Sequence, residues 1–521
     1  MIRSILRPTS ALFALISVAL CLVAASDAKN AVASSGYRPL PGASTPILNA
    51  SLTTPAATAF CKAPKYPPVY LWDPAATVQP PASATSGTPR VEQYRAGKLI
   101  ATYTTLGGYD PHGTCARTQN ASAHPEATVG CGPFNRYEPF RQWLPGDRFY
   151  VYPAVYGGPQ NQPWIGPGYD TAAQYNAGKP FLPTDIAIVG VTVNGMRPVI
   201  LVGATGGSDN TLGQSAIYFD RSDNVHFENI DLDGAGVTSI GKAGIYINGA
   251  KDLTLVDMRV HGFETAAANG IFGTPNNSGN LELYRLELYD NGGNNGPDHN
   301  AYIGASAIDP NFTVHLVNSW SHDAYYGHLF KSRAQVNVFE GNYFEGGLPQ
   351  PGYSQAETYL VDIPNGGRLT LRDNIFVKTA SGPNSNGAFV TYAVEGIPDA
   401  RKLGVTIVNN TFAAYARTYD GAHPLWPMFF ENGSLPGHPG FPTPNVAIER
   451  NAFIGFCPLG QPAFDYRGTF ALTEAFSQLD SQYRLRVPYA SLDRSIVGAP
   501  AYAHAARGGV VRRLPLIGAT D

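Results

Sequence analysis

The sequence has little charge, little sulfur and no excess of positive residues. Only 14% of its 521 residues are charged, the net charge is -3, and it contains 5 cysteines and 4 methionines. Without a basic field, the chain is not expected to bind nucleic acid. What it has instead is 56 glycines, 43 prolines and 29 tyrosines, a composition typical of a turn-rich β-protein with aromatic residues on its surface.

An apolar run lies near the N-terminus. Arg3 and Arg7 precede an apolar stretch over about residues 11–25, and small residues follow in "AASDA". This order is typical of a secretory signal peptide, here residues 1–28, because the run is short for a membrane anchor. The sequence therefore predicts a secreted or periplasmic protein with no membrane span after signal removal.

Four cysteines follow the predicted signal peptide: Cys61, Cys115, Cys131 and Cys457. In an exported protein they favour disulfides, for which three pairings are possible. A Cys115–Cys131 disulfide is favoured because both residues lie in one loop-rich segment, and buried free thiols are the alternative. No Cys/His spacing typical of a metal site is present.

A repeat organises the middle of the chain. Alternating segments end in Asn, any residue and Phe, as in "RLTLRDNIF", "GVTIVNNTF" and "NVAIERNAF", at spacings of roughly 25 to 40 residues. Short strands at such spacings without helices between them indicate a solenoid. The Asn at each corner can hydrogen-bond to the turns above and below, and the Phe can stack inside. The sequence predicts an all-β, right-handed parallel β-helix, since the pattern of a leucine-rich repeat is absent.

The repeat also sets the domain boundaries. Residues 29–140 are rich in Pro, Ala, Ser and Thr and are expected to form a disordered segment and an irregular N-terminal extension. The β-helix is predicted over residues 141–470, and residues 471–521 are expected to form a C-terminal cap, because an open solenoid end is an unpaired strand edge. A capped solenoid has no need to assemble, so a monomer is expected.

A second strand recurs in each turn, and alternation directs one set of its side chains outward. The outward positions of successive turns form one column: Tyr246, Phe272, Tyr302, Lys331, Asp362 and Thr391. Lys331 shares its outward face with Arg333. Asp298 and Asn300 flank Tyr302 by the same parity. We expect an exposed strip along a flat sheet, which suits a polysaccharide whose sugar faces stack on the rings. The alternative is a solvated face with ordinary cross-strand ion pairs.

Histidines and tyrosines are concentrated in the same turn. The segment "SWSHDAYYGHLFKSR" contains His322, Tyr325 and His328. His299 and His328 have inward parity, but both lie at strand starts, where a corner can turn them outward. Each is therefore either a site residue or a corner residue with a structural hydrogen bond.

Three motifs, "DHNAYIG", "GHLFKSRA" and "VDIPNGG", resemble a group of exported bacterial right-handed β-helix proteins of the pectate-lyase-like superfamily. The resemblance covers about residues 140–515. This fold carries lyases, hydrolases, epimerases and binding proteins. For the lyases, the resemblance implies a Lys, Arg or His that abstracts the proton beside a uronate carboxylate, and a cation or Ca²⁺ that neutralises that carboxylate.

The predicted strip contains residues suited to this β-elimination. Lys331 is expected to be the base, with its pKa lowered by Arg333. Arg333 is expected to clamp the uronate carboxylate, although the two roles can be exchanged. Tyr302, His299 or His328 can protonate the leaving oxygen.

Further residues are assigned to metal and sugar binding. Asp298 and Asp362 can hold Ca²⁺ or orient the lysine, but the dense Asp cluster of the Ca²⁺-dependent lyases is missing. Five side chains are expected to bind the polysaccharide: Asn300, Tyr246, Phe272, Tyr325 and His322.

Three other functions stay open. A glycoside hydrolase needs two carboxyl groups about 5 to 10 Å apart. Asp298 and Asp362 are two turns apart, which would separate them by about 9.6 Å. However, the paired-Asp motifs of polygalacturonase-like hydrolases are absent. A non-catalytic polysaccharide-binding or surface protein is the second alternative. The segment "GYDPHG" looks like a motif of alginate epimerases, but it lies before the solenoid.

Overall fold

The structure is a computed structural model of the chain. It describes residues 81–108, 128–129, 132–135, 143–158, 161–167, 177, 182–202, 215–235, 243–264, 268–293, 297–346, 358–378, 388–397, 403–408, 410–414, 426–431, 445–449, 451–454, 464–467, 471–475 and 478–480. The predicted signal peptide, the four cysteines and the part of the predicted cap beyond residue 480 lie outside these residues.

The described residues form strands and contain no α-helix. The first strands are β1 (Ala82–Ser83), β2 (Val91–Arg95), β3 (Lys98–Tyr103), β4 (Gly107–Gly108), β5 (Thr128–Val129), β6 (Phe134–Asn135), β7 (Arg148–Val151), β8 (Val155–Gly157), β9 (Trp164–Ile165), β10 (Ala187–Gly190), β11 (Met196–Arg197) and β12 (Val199–Leu201). The central strands are β13 (Ser215–Asp220), β14 (Asp223–Glu228), β15 (Asp231–Asp233), β16 (Ala243–Asn248), β17 (Lys251–Val256), β18 (Arg259–His261), β19 (Asn269–Gly273), β20 (Ser278–Tyr284), β21 (Glu287–Tyr289), β22 (Ala301–Ile303), β23 (Thr313–Val317), β24 (Trp320–His322), β25 (Phe330–Ser332), β26 (Val336–Glu340) and β27 (Tyr343–Gly346). The last strands are β28 (Val361–Ile363), β29 (Arg368–Arg372), β30 (Ile375–Lys378), β31 (Ala388–Tyr392), β32 (Gly404–Val408), β33 (Thr411–Ala414), β34 (Trp426–Glu431), β35 (Asn445–Glu449), β36 (Ala452–Ile454), β37 (Phe464–Arg467), β38 (Ala471–Ala475) and β39 (Gln478–Asp480).

The chain visits three sheets in turn, once per coil. The first sheet runs from β38 down to β7 and continues into β2, β3 and β5; the second runs from β39 to β8; the third runs from β37 to β9. Pairing is parallel throughout the coils, whereas β2 is antiparallel to both β3 and β7. The protein is therefore a right-handed parallel β-helix, as the sequence predicted. The described part of the chain has no helix long and apolar enough to span a membrane.

The predicted Asn ladder and Phe stack are confirmed. Asn342 Nδ2 donates to Asn374 Oδ1 at 3.0 Å, and Asn374 Nδ2 donates to Asn410 Oδ1 at 3.0 Å. The rings of Phe344 and Phe376 lie 5.1 Å apart and are almost parallel. The ladder satisfies buried amide groups at one corner, and the stack fills the interior beside it.

The corner between the first and second sheets is turned by one residue in the left-handed conformation. Asp373 (φ 58°) and Gly341 (φ 64°) hold this position just before Asn374 and Asn342. Asp and Gly adopt positive φ more readily than most residues. The recurring Asp-Asn and Gly-Asn pairs thus set both the bend and the ladder.

Candidate functional site

The predicted outward column lies on the third sheet. Its strands pair in parallel in a register that makes these residues successive neighbours: Tyr218, Tyr246, Phe272, Tyr302, Lys331, Asp362 and Thr391. The register agrees with the one predicted from the sequence, and Tyr218 extends the column by one turn. The column is therefore aromatic at one end and ionic at the other.

The prediction that the whole strip is exposed is wrong at its ionic end. Tyr246 and Phe272 are half-buried, but Lys331 is 8% exposed and Asp362 only 1%. One cause is the segment after β31, from which Glu395 reaches back to Lys331. This segment also contacts the segment after β28, since the Glu395 amide donates to the carbonyl of Pro364 at 2.9 Å.

The aromatic end consists of rings stacked on one another. The rings of Tyr218 and Tyr246 are 4.8 Å apart, those of Tyr246 and Phe272 are 5.6 Å apart, and both pairs are nearly parallel. Both faces of Tyr246 are thus covered by neighbouring rings. Contrary to the expectation, the faces of this ring are therefore occupied by protein rings and are not open to stacking on a sugar.

Four charged side chains form what we call the ionic cluster: Lys331, Arg333, Asp362 and Glu395. Lys331 Nζ lies 3.0 Å from Asp362 Oδ2 and 2.9 Å from Glu395 Oε1. Arg333 Nη2 lies 2.6 Å from the other oxygen, Glu395 Oε2. The Glu395 carboxylate therefore bridges the two cations, and the charges of the four groups balance.

These contacts determine the protonation of the cluster. Burial opposes the charge on Lys331, but the carboxylates of Asp362 and Glu395 outweigh it and raise the pKa of the lysine. Burial likewise works against ionised Asp362, but Lys331 and His328 outweigh it and hold the pKa of the aspartate below its usual range. The pKa of Arg333 is likewise raised and that of Glu395 lowered, so all four groups are charged at neutral pH.

The predicted lowering of the Lys331 pKa by Arg333 is wrong. Arg333 does act in that direction, but it is a smaller influence than the two carboxylates. Arg333 is two residues from Lys331 in the sequence, whereas the contact between Lys331 and Glu395 forms only in the fold. The two carboxylates therefore favour the charged form of Lys331.

Two buried histidines lie beside the cluster. The rings of His299 and His328 are 4.5 Å apart and nearly parallel. The His328 amide donates to His299 Nδ1 at 2.8 Å, and the Tyr359 amide donates to His328 Nδ1 at 3.3 Å. Burial lowers the pKa of both rings, so each is neutral with its proton on Nε2. Each histidine thus makes a structural corner hydrogen bond.

The same histidines also contact the site residues. His328 Nε2 is 3.3 Å from Asp362 Oδ2, and the His299 ring centre is 5.8 Å from that of Tyr302. Tyr302 in turn accepts a hydrogen bond of 2.8 Å from Arg333 Nε. The two corner histidines therefore also lie against residues of the column, His328 against Asp362 and His299 against Tyr302.

Sequence reasoning gave no site role to several residues that support the cluster. Thr391 Oγ1 donates to Asp362 Oδ1 at 2.6 Å. Thr358 Oγ1 is 2.5 Å from His328 Nδ1, and Lys378 Nζ donates to the Thr358 carbonyl at 3.0 Å. Thr391 was in the predicted column. Thr358 lies before a strand and Glu395 after one, where alternation gives no direction.

Asn300 does not point outward. It is fully buried, and its Nδ2 donates to the carbonyls of His322 at 2.8 Å and Leu288 at 3.1 Å. The parity argument fails because β22 begins only at Ala301, so residue 300 belongs to the corner. Asn300 is a structural residue here and not a sugar ligand on the outward face.

Two other predicted sugar ligands also lie away from the column. His322 belongs to β24 of the second sheet, where its ring stacks on Tyr289 at 5.0 Å and on Trp320 at 3.8 Å. Tyr325 is buried in the turn between β24 and β25. The dense His/Tyr segment is thus divided between two sheets by the intervening corner.

The predicted metal ligands do not form a Ca²⁺ site. Asp362 is engaged through both oxygens, by Lys331 and His328 on one and Thr391 on the other. Asp298 is half-buried and lies 3.5 Å from Asn269 Nδ2. Among the described residues, no group of three or more His, Cys, Asp or Glu side chains is arranged to hold a metal. A cation at Asp362 would have to displace Lys331, so this donor set does not fit Ca²⁺.

No protein-family model matches the chain, and no curated protein matches it either. Its function therefore has to be inferred from the geometry of the column and the ionic cluster. These combine an aromatic surface, two fixed cations and neutral imidazoles on adjacent turns of one sheet.

Proposed function

We propose that this protein is an exported, carbohydrate-active β-helix protein of the pectate-lyase-like kind, which cleaves an acidic, uronate-containing polysaccharide by β-elimination. One observation carries the proposal: Lys331 and Arg333 hold the two oxygens of one carboxylate, that of Glu395. A uronate carboxylate has the same shape and charge. It can take the place of Glu395 between the cations.

The cations would then act on the reacting atoms. Loss of the proton at C5 of a uronate places negative charge on the carboxylate, and fixed positive groups stabilise that charge. The raised pKa of Lys331, caused by Asp362 and Glu395 in spite of burial, suits a permanent electrostatic role. Lys331 and Arg333 are therefore both assigned to carboxylate neutralisation.

Tyr302 is assigned to proton transfer. Its Oη accepts from Arg333 Nε at 2.8 Å, and Lys331 Nζ is 6.0 Å from its ring centre. In the proposed reaction Tyr302 Oη takes the proton from C5 and gives its own hydroxyl proton to the leaving C4 oxygen. The C4–O bond breaks, a C4–C5 double bond forms, and the tyrosine ends in its starting state.

The hydrolase alternative is less well supported. Its general acid needs a raised pKa, whereas the pKa of Asp362 is lowered by Lys331 and His328 in spite of burial. A non-catalytic polysaccharide-binding protein is the second candidate. It is favoured by the balanced charges of the ionic cluster, because a self-neutralised network can serve structure alone.

The test is ultraviolet absorbance during incubation with uronate polysaccharides, which reports the conjugated double bond. We expect a rise that is insensitive to chelator, and a loss of rate of about 100-fold or more in Tyr302→Phe. Tyr284→Phe, on the first sheet, is the control and should keep the wild-type rate. New reducing ends without a rise in absorbance would show that the protein is a hydrolase and not a lyase. Binding with neither product would leave a carbohydrate-binding protein.

A further inference from the structure

Within the described strands of the third sheet from β13 to β34, Lys331 in β25 is the single Lys or Arg. Arg333 follows β25 directly, and Arg221 follows β13 directly and pairs with Asp220. The three strands β13, β16 and β19 present aromatic residues instead. Along the column itself, a ligand would therefore meet the cations of β25 at one place and uncharged rings on the described strands before it.

A second, polar column runs beside the aromatic one. Asp220 and Asn248 are neighbours in register, and Asn248 Nδ2 donates to Asp220 Oδ1 at 3.0 Å. Thr274 Oγ1 and Asn276 Nδ2 donate to Asn248 Oδ1 at 2.9 and 3.2 Å. Arg221, which follows β13, is mostly exposed and pairs with Asp220 at 3.2 Å. The groups beside the rings are thus amides, a hydroxyl and one carboxylate that is paired with Arg221.

These groups suit neutral sugars better than uronates. Sugar hydroxyls can both donate to and accept from amides and hydroxyls. A carboxylate placed there would lose water and approach Asp220, which costs free energy. The described cation nearby, Arg221, is already paired with that aspartate. Neighbouring strands lie about 4.8 Å apart, so successive units of a sugar chain would pass successive turns. If alternate sugar units of a polyuronate faced away from the sheet, the remaining units would still bring some carboxylates to this neutral part of the column.

We propose that the substrate is a heteropolysaccharide in which an isolated uronate, bound at Lys331 and Arg333, is flanked by neutral sugars along β13 to β19. The inference rests on the proposed function for the role of the two cations. It adds a selectivity that the proposed function does not require: polymers made only of uronates are poor ligands and poor substrates.

The experiment compares two probes at equal uronate concentration. Gellan has one glucuronate per repeat among neutral sugars, and polygalacturonate is a uronate homopolymer. Initial rates are followed by ultraviolet absorbance, and binding is followed by affinity gel electrophoresis. We expect gellan to be preferred by about tenfold or more, the effect of one carboxylate desolvated without a partner.

Matched variants locate the selectivity. Asn248→Lys adds a cation to the neutral part of the column and should narrow the preference several-fold. Thr254→Lys adds the same charge on the first sheet and should leave the preference unchanged. An equal narrowing by both variants would show an effect of net charge and overturn the assignment to the column.

The outcomes separate this inference from the proposed function. If gellan selectively retards the protein in the gel and neither polymer gives an absorbance rise, the proposed lyase activity is wrong and the proposed ligand class is supported. If polygalacturonate is cleaved as fast as gellan or faster, the proposed substrate class is wrong and the proposed lyase activity is supported. No binding and no cleavage of either polymer would overturn both.

Discussion

At the scale of residues, the two cations of β25 are explained by the carboxylates that accompany them. Lys331 and Asp362 form the cross-strand pair that the sequence allowed, but the side chains are 11% and 2% exposed, so this is not a solvated surface pair. A buried charge is tolerated only with a partner. Asp362 and Glu395 supply the partners, and Thr391 satisfies a remaining oxygen of Asp362.

This pairing predicts a large loss of stability from a small change. Asp362→Asn keeps the size of the side chain but leaves buried Lys331 with one carboxylate fewer. We expect the free energy of unfolding in urea to fall by about 3–5 kcal/mol. Glu340→Gln, which breaks an exposed pair with Arg372 on the first sheet, should cost less than about 1 kcal/mol. Equal costs for the two variants would show that burial gives the Asp362 pair no special weight.

At the scale of elements, alternation predicts directions inside strands and fails at their ends. The outward column was predictable because each member lies within a strand and its neighbours along that strand are apolar or small. Asn300 lies one residue before β22 and is buried, and Glu395 lies after β31 and reaches back to the cluster. His322 was assigned to the wrong sheet, since one corner separates β24 from β25. Corner conformations depend on contacts between turns, which a single segment of sequence does not contain.

The segment after β31 gives a prediction of its own. If Glu395 occupies the place of the substrate carboxylate, the two must compete for Lys331 and Arg333. Glu395→Gln removes the competing charge, so we expect a uronate oligosaccharide to bind several-fold more tightly in calorimetric titration. Glu340→Gln changes net charge equally on another sheet and should leave the affinity as in the wild type. Weaker binding by Glu395→Gln would mean that this carboxylate helps to build the site.

At the scale of the whole molecule, the stacking of coils places equivalent residues of successive coils in continuous columns. The site uses residues from β22 to β31 because four coils place them side by side, and the Asn ladder and Phe stack keep those coils in register. The repeat in the sequence was therefore enough to predict the fold. It did not predict which loops cover the column, because the loops differ from coil to coil.

A histidine of the second sheet, His322, makes the stability of the β-helix depend on pH. His322 Nδ1 is 2.6 Å from Asp323 Oδ2, and its Nε2 is 3.9 Å from Glu287 Oε1. Burial opposes protonation, but these two carboxylates outweigh it and raise the pKa of His322 from 6.5 to about 9. A group whose pKa is raised on folding stabilises the folded state fully below its unfolded pKa. That contribution is lost as pH rises through the folded value.

The free energy of unfolding contributed by His322 should therefore decline between pH 6.5 and about 9. The measurement is urea unfolding of the wild type and His322→Gln across this range. Other groups titrate in both proteins, so the difference between the two curves isolates the histidine. We expect the wild type to be the more stable protein at pH 6 and its advantage to shrink steadily towards pH 9. A difference that does not change with pH would mean that His322 is neutral in the folded protein, and that its stacking on Tyr289 and Trp320, rather than its charge, holds this part of the second sheet together.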